Sequence, residues 1–153
     1  MEAGESLAEA AIREVREETG FRVALIRVVG TYSRPRWRAG SHSVLFAATV
    51  VDGDPGDFDP NETIEARSFN LDNLPDSLLW WQRRMVADAA SGIAGVAWSH
   101  EALVPGDGDR AATVARSRRD PAFAEQVQAA LTRPPYEDAE RLDVGSLPLA
   151  SLD

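Results

Sequence analysis

Glu14, Glu17 and Glu18 are the residues in this chain whose type and spacing most directly suggest chemistry. At about 100° per residue of helix, with Glu14 at zero, Glu17 falls near about 300° and Glu18 near about 40°, so all three share one face. Three carboxylates within one turn repel each other by a few tenths of a kcal/mol per pair, and something should compensate them. Hard divalent cations such as Mg²⁺ bind through carboxylate and phosphate oxygens, and this face would supply several of them. By residue type alone a second reading is equally open, because REVREE strings also suit solvated helix faces with Arg partners three or four residues away.

The elements that must position these acids follow from local signals. Ser6-Leu7-Ala8-Glu9 has the form of a capping box, which predicts a helix over Leu7 to Thr19, and Gly20 is the natural left-handed residue to end it. Its apolar edge would carry Ala8, Ala11, Ile12, Val15 and Thr19, with Leu7 the misfit. Phe21 to Ser33 reads as one strand or two short ones, with Gly30 marking a bulge. Arg34 to Gly40 is loop, and His42 to Val51 is the next strand, which together predict an antiparallel hairpin. After an acidic loop, Ile64 to Phe69 alternates like a short strand. A helix is expected from Ser77 to about Ala90 on the spacing of Leu78, Trp81, Met85 and Ala89. Pro105 to Asp109 reads as a linker. Asp120-Pro121 opens a short helix, about 120–132, and the last twenty residues read as irregular. The expected organisation is a domain over residues 1–104 followed by linker, helix and tail over 105–153.

The acids also resemble a family motif. Glu5 is followed by seven residues, then by Arg13, Glu14, Val15, Arg16, Glu17, Glu18, Thr19, Gly20 and Phe21. This is similar to the Nudix box, G-x5-E-x7-R-E-U-x-E-E-x-G-U with U apolar, and every position from Glu5 onward matches: eight defined residues with fixed gaps. The resemblance implies an α/β (α+β) fold, an α/β/α sandwich around a mixed sheet. It implies a metal-dependent hydrolase that cleaves the pyrophosphate bond of a nucleoside diphosphate linked to another moiety, ADP-ribose-like or nucleotide in kind. Glu14, Glu17 and Glu18 match the family's metal-binding acids, Glu5 matches the supporting first Glu of the box and is counted with them as a metal candidate, and Arg13 matches the residue that orients them. Mg²⁺ or Mn²⁺ would lower the pKa of water and neutralise diphosphate charge. In several members a loop Glu away from the helix serves as general base; Glu62 is the candidate here and Glu65 the alternative. The box also opens with a Gly five residues before its first Glu, and only Met1-Glu2-Ala3-Gly4 precedes Glu5 here. The Gly-Gly turn and preceding strands are therefore expected to be missing, as in an N-terminally truncated chain. A catalytically impaired remnant acting as a binding or assembly module is then the alternative to an enzyme. An isomerase on the same fold is disfavoured, since such enzymes usually need a Cys near the site and this chain has none.

Arg34, Arg36 and Trp37 on the hairpin loop could offer cations to a diphosphate and a ring to a base, although a plain basic loop is an equal reading. His42 reads as a packing or capping histidine. Trp80, Trp81 and Trp98 read as packing residues, and adjacent Trp80 and Trp81 are not expected to face one core together. A homodimer interface would be a natural use for the one left exposed.

Composition narrows the partners. Across 153 residues, 25 acids against 16 basic residues give a net charge of -9, which argues against bulk nucleic acid as partner. A small phosphorylated ligand bridged by a metal stays compatible. The absence of cysteine excludes disulfides and thiol chemistry and fits a reducing cytoplasm. No run approaches the roughly 18 apolar residues of a membrane span, so a soluble, cytoplasmic protein is expected.

Overall fold

The structure is a computed structural model and describes residues 2–37, 40–54, 58, 63, 65–106 and 110–145. Among the described residues, four α-helices and a four-stranded mixed sheet make up a mixed α/β fold. The helices are α1 (Leu7–Thr19), α2 (Trp80–Ala90), α3 (Arg110–Ser117) and α4 (Pro121–Thr132); the strands are β1 (Phe21–Arg34), β2 (Ser41–Gly53), β3 (Val96–His100) and β4 (Glu140–Val144). Sheet order is β2-β1-β3-β4. β1 runs parallel to β3, with Gly30 opposite Val96 and Tyr32 opposite Trp98, and β3 runs antiparallel to β4. The chain divides into two compact units, Met1–Val28 with Phe46–Asn73, and Val29–Leu45 with Leu74–Asp153.

In the first unit, α1 forms where its caps predict. The Ser6 hydroxyl accepts from the Glu9 N–H and the Glu9 carboxylate accepts from the Ser6 N–H, and Gly20 closes the helix at φ 79°. A cap of this kind is worth about 1 kcal/mol. β1 continues from it as one unbroken strand. Gly53 is obligatory where β2 ends, because a Cβ there would lie 2.3 Å from the Gly20 carbonyl oxygen.

In the second unit, Tyr32, Val96 and Trp98 form one buried cluster, and Trp80, Trp81, Ala102 and Ala139 another. Both adjacent tryptophans are therefore buried, contrary to the sequence expectation. They lie about 100° apart on the helix, and the core wraps the start of α2 from two sides. Trp80 meets His100 edge-on, while Trp81 packs on Trp37 from the hairpin turn. A polar network crosses this core. The Tyr32 hydroxyl donates to Asp88 at 2.9 Å, and burial, followed by that carboxylate, pushes its pKa up. Arg84 reaches Glu140 at 3.0 Å while stacking over Trp98.

Four further expectations are corrected. Gly30 marks no bulge: a Cβ there would sit 2.4 Å from the Val96 carbonyl oxygen, so the glycine allows β1 and β3 to approach, and the irregularity lies at Ala97/Trp98 of β3. Residues 65–69 form no strand, since no ladder supports the alternation there. Helix α2 starts at Trp80 rather than Ser77, with Leu79 as N-cap and Gln82 accepting from its N–H. The stretch read as linker and tail contains α3 and β4, and β4 is held by its ladder with β3. No helix among the described residues is long and apolar enough to cross a membrane.

Candidate functional site

Arg13 organises the acidic edge of α1. Its Nε donates to Glu5 Oε1 at 2.8 Å and its Nη2 to Glu5 Oε2 at 3.0 Å, a two-pronged pairing across the turn that precedes the helix. Its Nη1 donates to Glu17 at 2.7 Å, and Glu14 lies 3.6 Å from Nη2. One guanidinium thus braces three carboxylates, which answers the repulsion that their spacing creates. The turn is shaped for this. Gly4 sits at φ 89°, and the Glu2 N–H donates to Glu5 Oε2 at 2.9 Å.

Exposure separates the roles. The Glu5 side chain is 13% exposed, whereas those of Glu14 and Glu17 are both 53% exposed. Glu5 is therefore a brace, and Glu14 and Glu17, with exposed Glu18, are open to a ligand. The Arg13 hydrogen bonds, helped by the Glu2 N–H, pull the Glu5 pKa from 4.5 down to about 2, and the same pairing raises that of Arg13. The sign of the stability effect follows. The unfolded chain takes up this proton near 4.5 and the folded chain near 2, so the contribution is complete above the first value and is lost as pH falls toward the second. Melting temperatures of the wild type and Glu5→Gln, measured in EDTA, should differ by a constant gap above about pH 5 that closes near about pH 2. A gap that persists unchanged to that pH would refute the brace.

Beside this edge, α1 and the strand segments of the first unit form an open cleft of about 1410 Å³. Its lining includes Glu9, Ile12, Arg13, Arg16 and Glu17 from the helix and Val23 and Val51 from β1 and β2. Glu9, which the sequence marks only as a capping residue, and Arg16 are not among the sequence candidates for the site, although their seven-residue separation, with Ile12 and Arg13 between them, puts them on one helical stripe. Three glutamates within one turn fit a hard divalent cation by donor chemistry. Among the described residues no three such side chains converge on a point, so coordination would require rotation of exposed carboxylates, a motion of ps–ns timescale.

The remaining predicted residues lie elsewhere. Glu62 falls outside the described residues. Glu65 is paired with Arg67. Arg34 is 6% exposed and donates to the hydroxyls of Ser41 at 3.0 Å and Ser43 at 2.7 Å, a hairpin tie rather than a loop cation. Arg36 stands 3.3 Å from Glu101, and together with Trp37 it lines a pocket of about 420 Å³ in the second unit, against Leu79, Val104 and Leu131. His42 is exposed and meets the Ser33 hydroxyl at 3.0 Å.

The NUDIX domain family matches residues 1–89, more than half of the chain and all of the braced helix. The chain belongs to the Nudix family. The same assignment is reflected in individual relatives. The chain is 32% identical over 96 residues to a Bacillus subtilis (strain 168) protein provisionally named an 8-oxo-dGTP diphosphatase, covering 63% of this chain and 62% of that one. It is 39% identical over 77 residues to the NAD-capped RNA hydrolase NudC of Shigella dysenteriae serotype 1, covering 49% of this chain and 28% of NudC. It is 37% identical over 79 residues to the ADP-ribose pyrophosphatase of Methanocaldococcus jannaschii, covering 49% and 44%. The Nudix chain thus spans less than two thirds of the length of each of these relatives. No solved structure matches it significantly.

Proposed function

We propose that this Nudix chain is a metal-dependent pyrophosphohydrolase acting on a nucleoside diphosphate linked to another moiety. The observation that carries the proposal is the Arg13 brace, which holds Glu5, Glu14 and Glu17 together at one edge of a capped helix. In this reading Glu14, Glu17 and Glu18 hold Mg²⁺ or Mn²⁺, and Glu5 and Arg13 keep those carboxylates in register. The ion, when bound, neutralises diphosphate charge and makes water more acidic. The chain's own residues do the rest. Arg13 fixes the carboxylate positions, and a loop carboxylate takes the proton of the attacking water, for which Glu62 is our assignment and Glu65 the alternative.

The relatives' names cover ADP-ribose, 8-oxo-dGTP and NAD-capped RNA, all of which contain a phosphoanhydride. Among these, the net charge of -9 favours the small molecules over a long RNA backbone. One observation favours a second reading, a binding module without turnover: no three carboxylates converge among the described residues. A single assay separates the two. Purified protein with ADP-ribose and Mg²⁺ should release AMP, and EDTA should abolish the release. A folded, helical protein that binds ADP-ribose calorimetrically yet releases no AMP with Mg²⁺ or Mn²⁺ would leave the binding module standing and the hydrolase refuted.

A further inference from the structure

We propose that Thr19 is a positioning residue for the metal-binding acids, because its hydroxyl joins the helix turn that carries Glu17 and Glu18 to the first residue of β1. The inference rests on the reading of α1 as a metal site given above. The Thr19 hydroxyl donates to the Val15 carbonyl at 2.6 Å and accepts from the Phe21 N–H at 3.2 Å. It therefore spans Gly20, the left-handed residue at which the chain leaves the helix for the strand. Alone, the bond to Val15 is the ordinary local back-bond of a helical threonine. The bond accepted from the next element makes it a tie. Glu17 and Glu18 lie between the two points that it joins, in the terminal turn, where helices fray most readily.

The strand end of the tie is itself held. Gly53, at the end of β2, meets the same junction so closely that a Cβ there would also lie 2.9 Å from the Phe21 Cα. The neighbouring Arg22 side chain pairs with Asp52 at 2.6 Å. All of these residues belong to the first unit. The Phe21 N–H is thus a fixed point, and the Thr19 hydroxyl passes that fixity back into the helix. The acids depend on it unequally. Glu17 is also held through its side chain, since Arg13 donates to it at 2.7 Å. Glu18 is exposed and adjoins Thr19 in the chain, so the backbone of the last turn sets its place. Loss of the hydroxyl should therefore reach Glu18 first.

Thr19→Val removes the hydroxyl and keeps the β-branched shape, while Thr19→Ser keeps the hydroxyl. The probe is Mn²⁺, titrated into each protein and followed by electron paramagnetic resonance well below the melting transition. Thr19→Val should bind Mn²⁺ about 10-fold more weakly, the lower end of the range for losing a group that orients metal ligands, and Thr19→Ser should stay within about 2-fold of wild type. In metal-free protein the Phe21 amide should exchange its hydrogen faster in Thr19→Val than in wild type or Thr19→Ser. Glu18→Gln should weaken Mn²⁺ binding less in the Thr19→Val background than in wild type, because an acid already out of place has less to lose. A wild type that takes up no Mn²⁺ overturns the metal-site reading and this inference with it. Wild-type binding that Thr19→Val leaves unchanged overturns the inference alone, even where the melting temperature falls, and so does equal weakening in Thr19→Ser. Strictly additive losses from Thr19→Val and Glu18→Gln also overturn it, since the hydroxyl would then support the helix without placing the acid.

Discussion

Glu17→Gln and Glu18→Gln should each lower kcat/KM for ADP-ribose hydrolysis by about 100-fold or more while leaving the melting temperature nearly unchanged. The magnitude follows from the ion's role. Charge stabilisation by a bound cation is worth several kcal/mol, and each ~1.4 kcal/mol is tenfold in rate. On the proposed assignment of Glu14, Glu17 and Glu18 to the ion, losing one of three anionic ligands forfeits a large part of that. The stability side is small for a different reason. Both side chains lie on the solvent face of α1, where substitutions cost within about 0.5 kcal/mol, and removing one acid relieves repulsion among the three. In Glu17→Gln the new side-chain amide oxygen can still accept from Arg13. Raised Mg²⁺ should recover part of the lost rate if the defect is in ion affinity. Full activity in both variants would remove these carboxylates from the mechanism.

How much of this was legible in the sequence depends on how local each signal is. α1 was fully legible, because its caps, its stop at Gly20 and its acidic stripe are all set within one helix. The grouping of Glu5 with Arg13 was not. It spans eight residues and a turn, and only the resemblance to the Nudix box implied it. β3 and β4 were hidden because each is stabilised by the other from about forty residues away. β4 is also rich in charge, and Glu140 becomes acceptable in a half-buried place because Arg84 and His100 meet it. Arg34 is a case where the signal was present but outweighed. Counted by twos along β1 it shares a face with buried Tyr32, yet the Pro35 that follows it made it read as loop.

Arg13→Lys should cost about 10–100-fold in kcat/KM, the range expected when a group that orients metal ligands is replaced, even though its charge is kept. A guanidinium meets Glu5 with two prongs and has a third N–H left for Glu17; an ammonium is a point charge that can satisfy one of them at full strength. The carboxylates would then regain the freedom that their mutual repulsion favours. Because Glu5 acts through Arg13, the double variant Glu5→Gln/Arg13→Lys should be little worse than Arg13→Lys alone, a coupling that residues acting independently would not show. The acid-dependent stability gap assigned to Glu5 should shrink in Arg13→Lys as well, because the hydrogen bonds that lower its pKa come chiefly from Arg13. A charge-only role predicts near-normal activity and an intact gap in this variant. Additive losses in the double variant would mean that Glu5 and Arg13 serve the site separately.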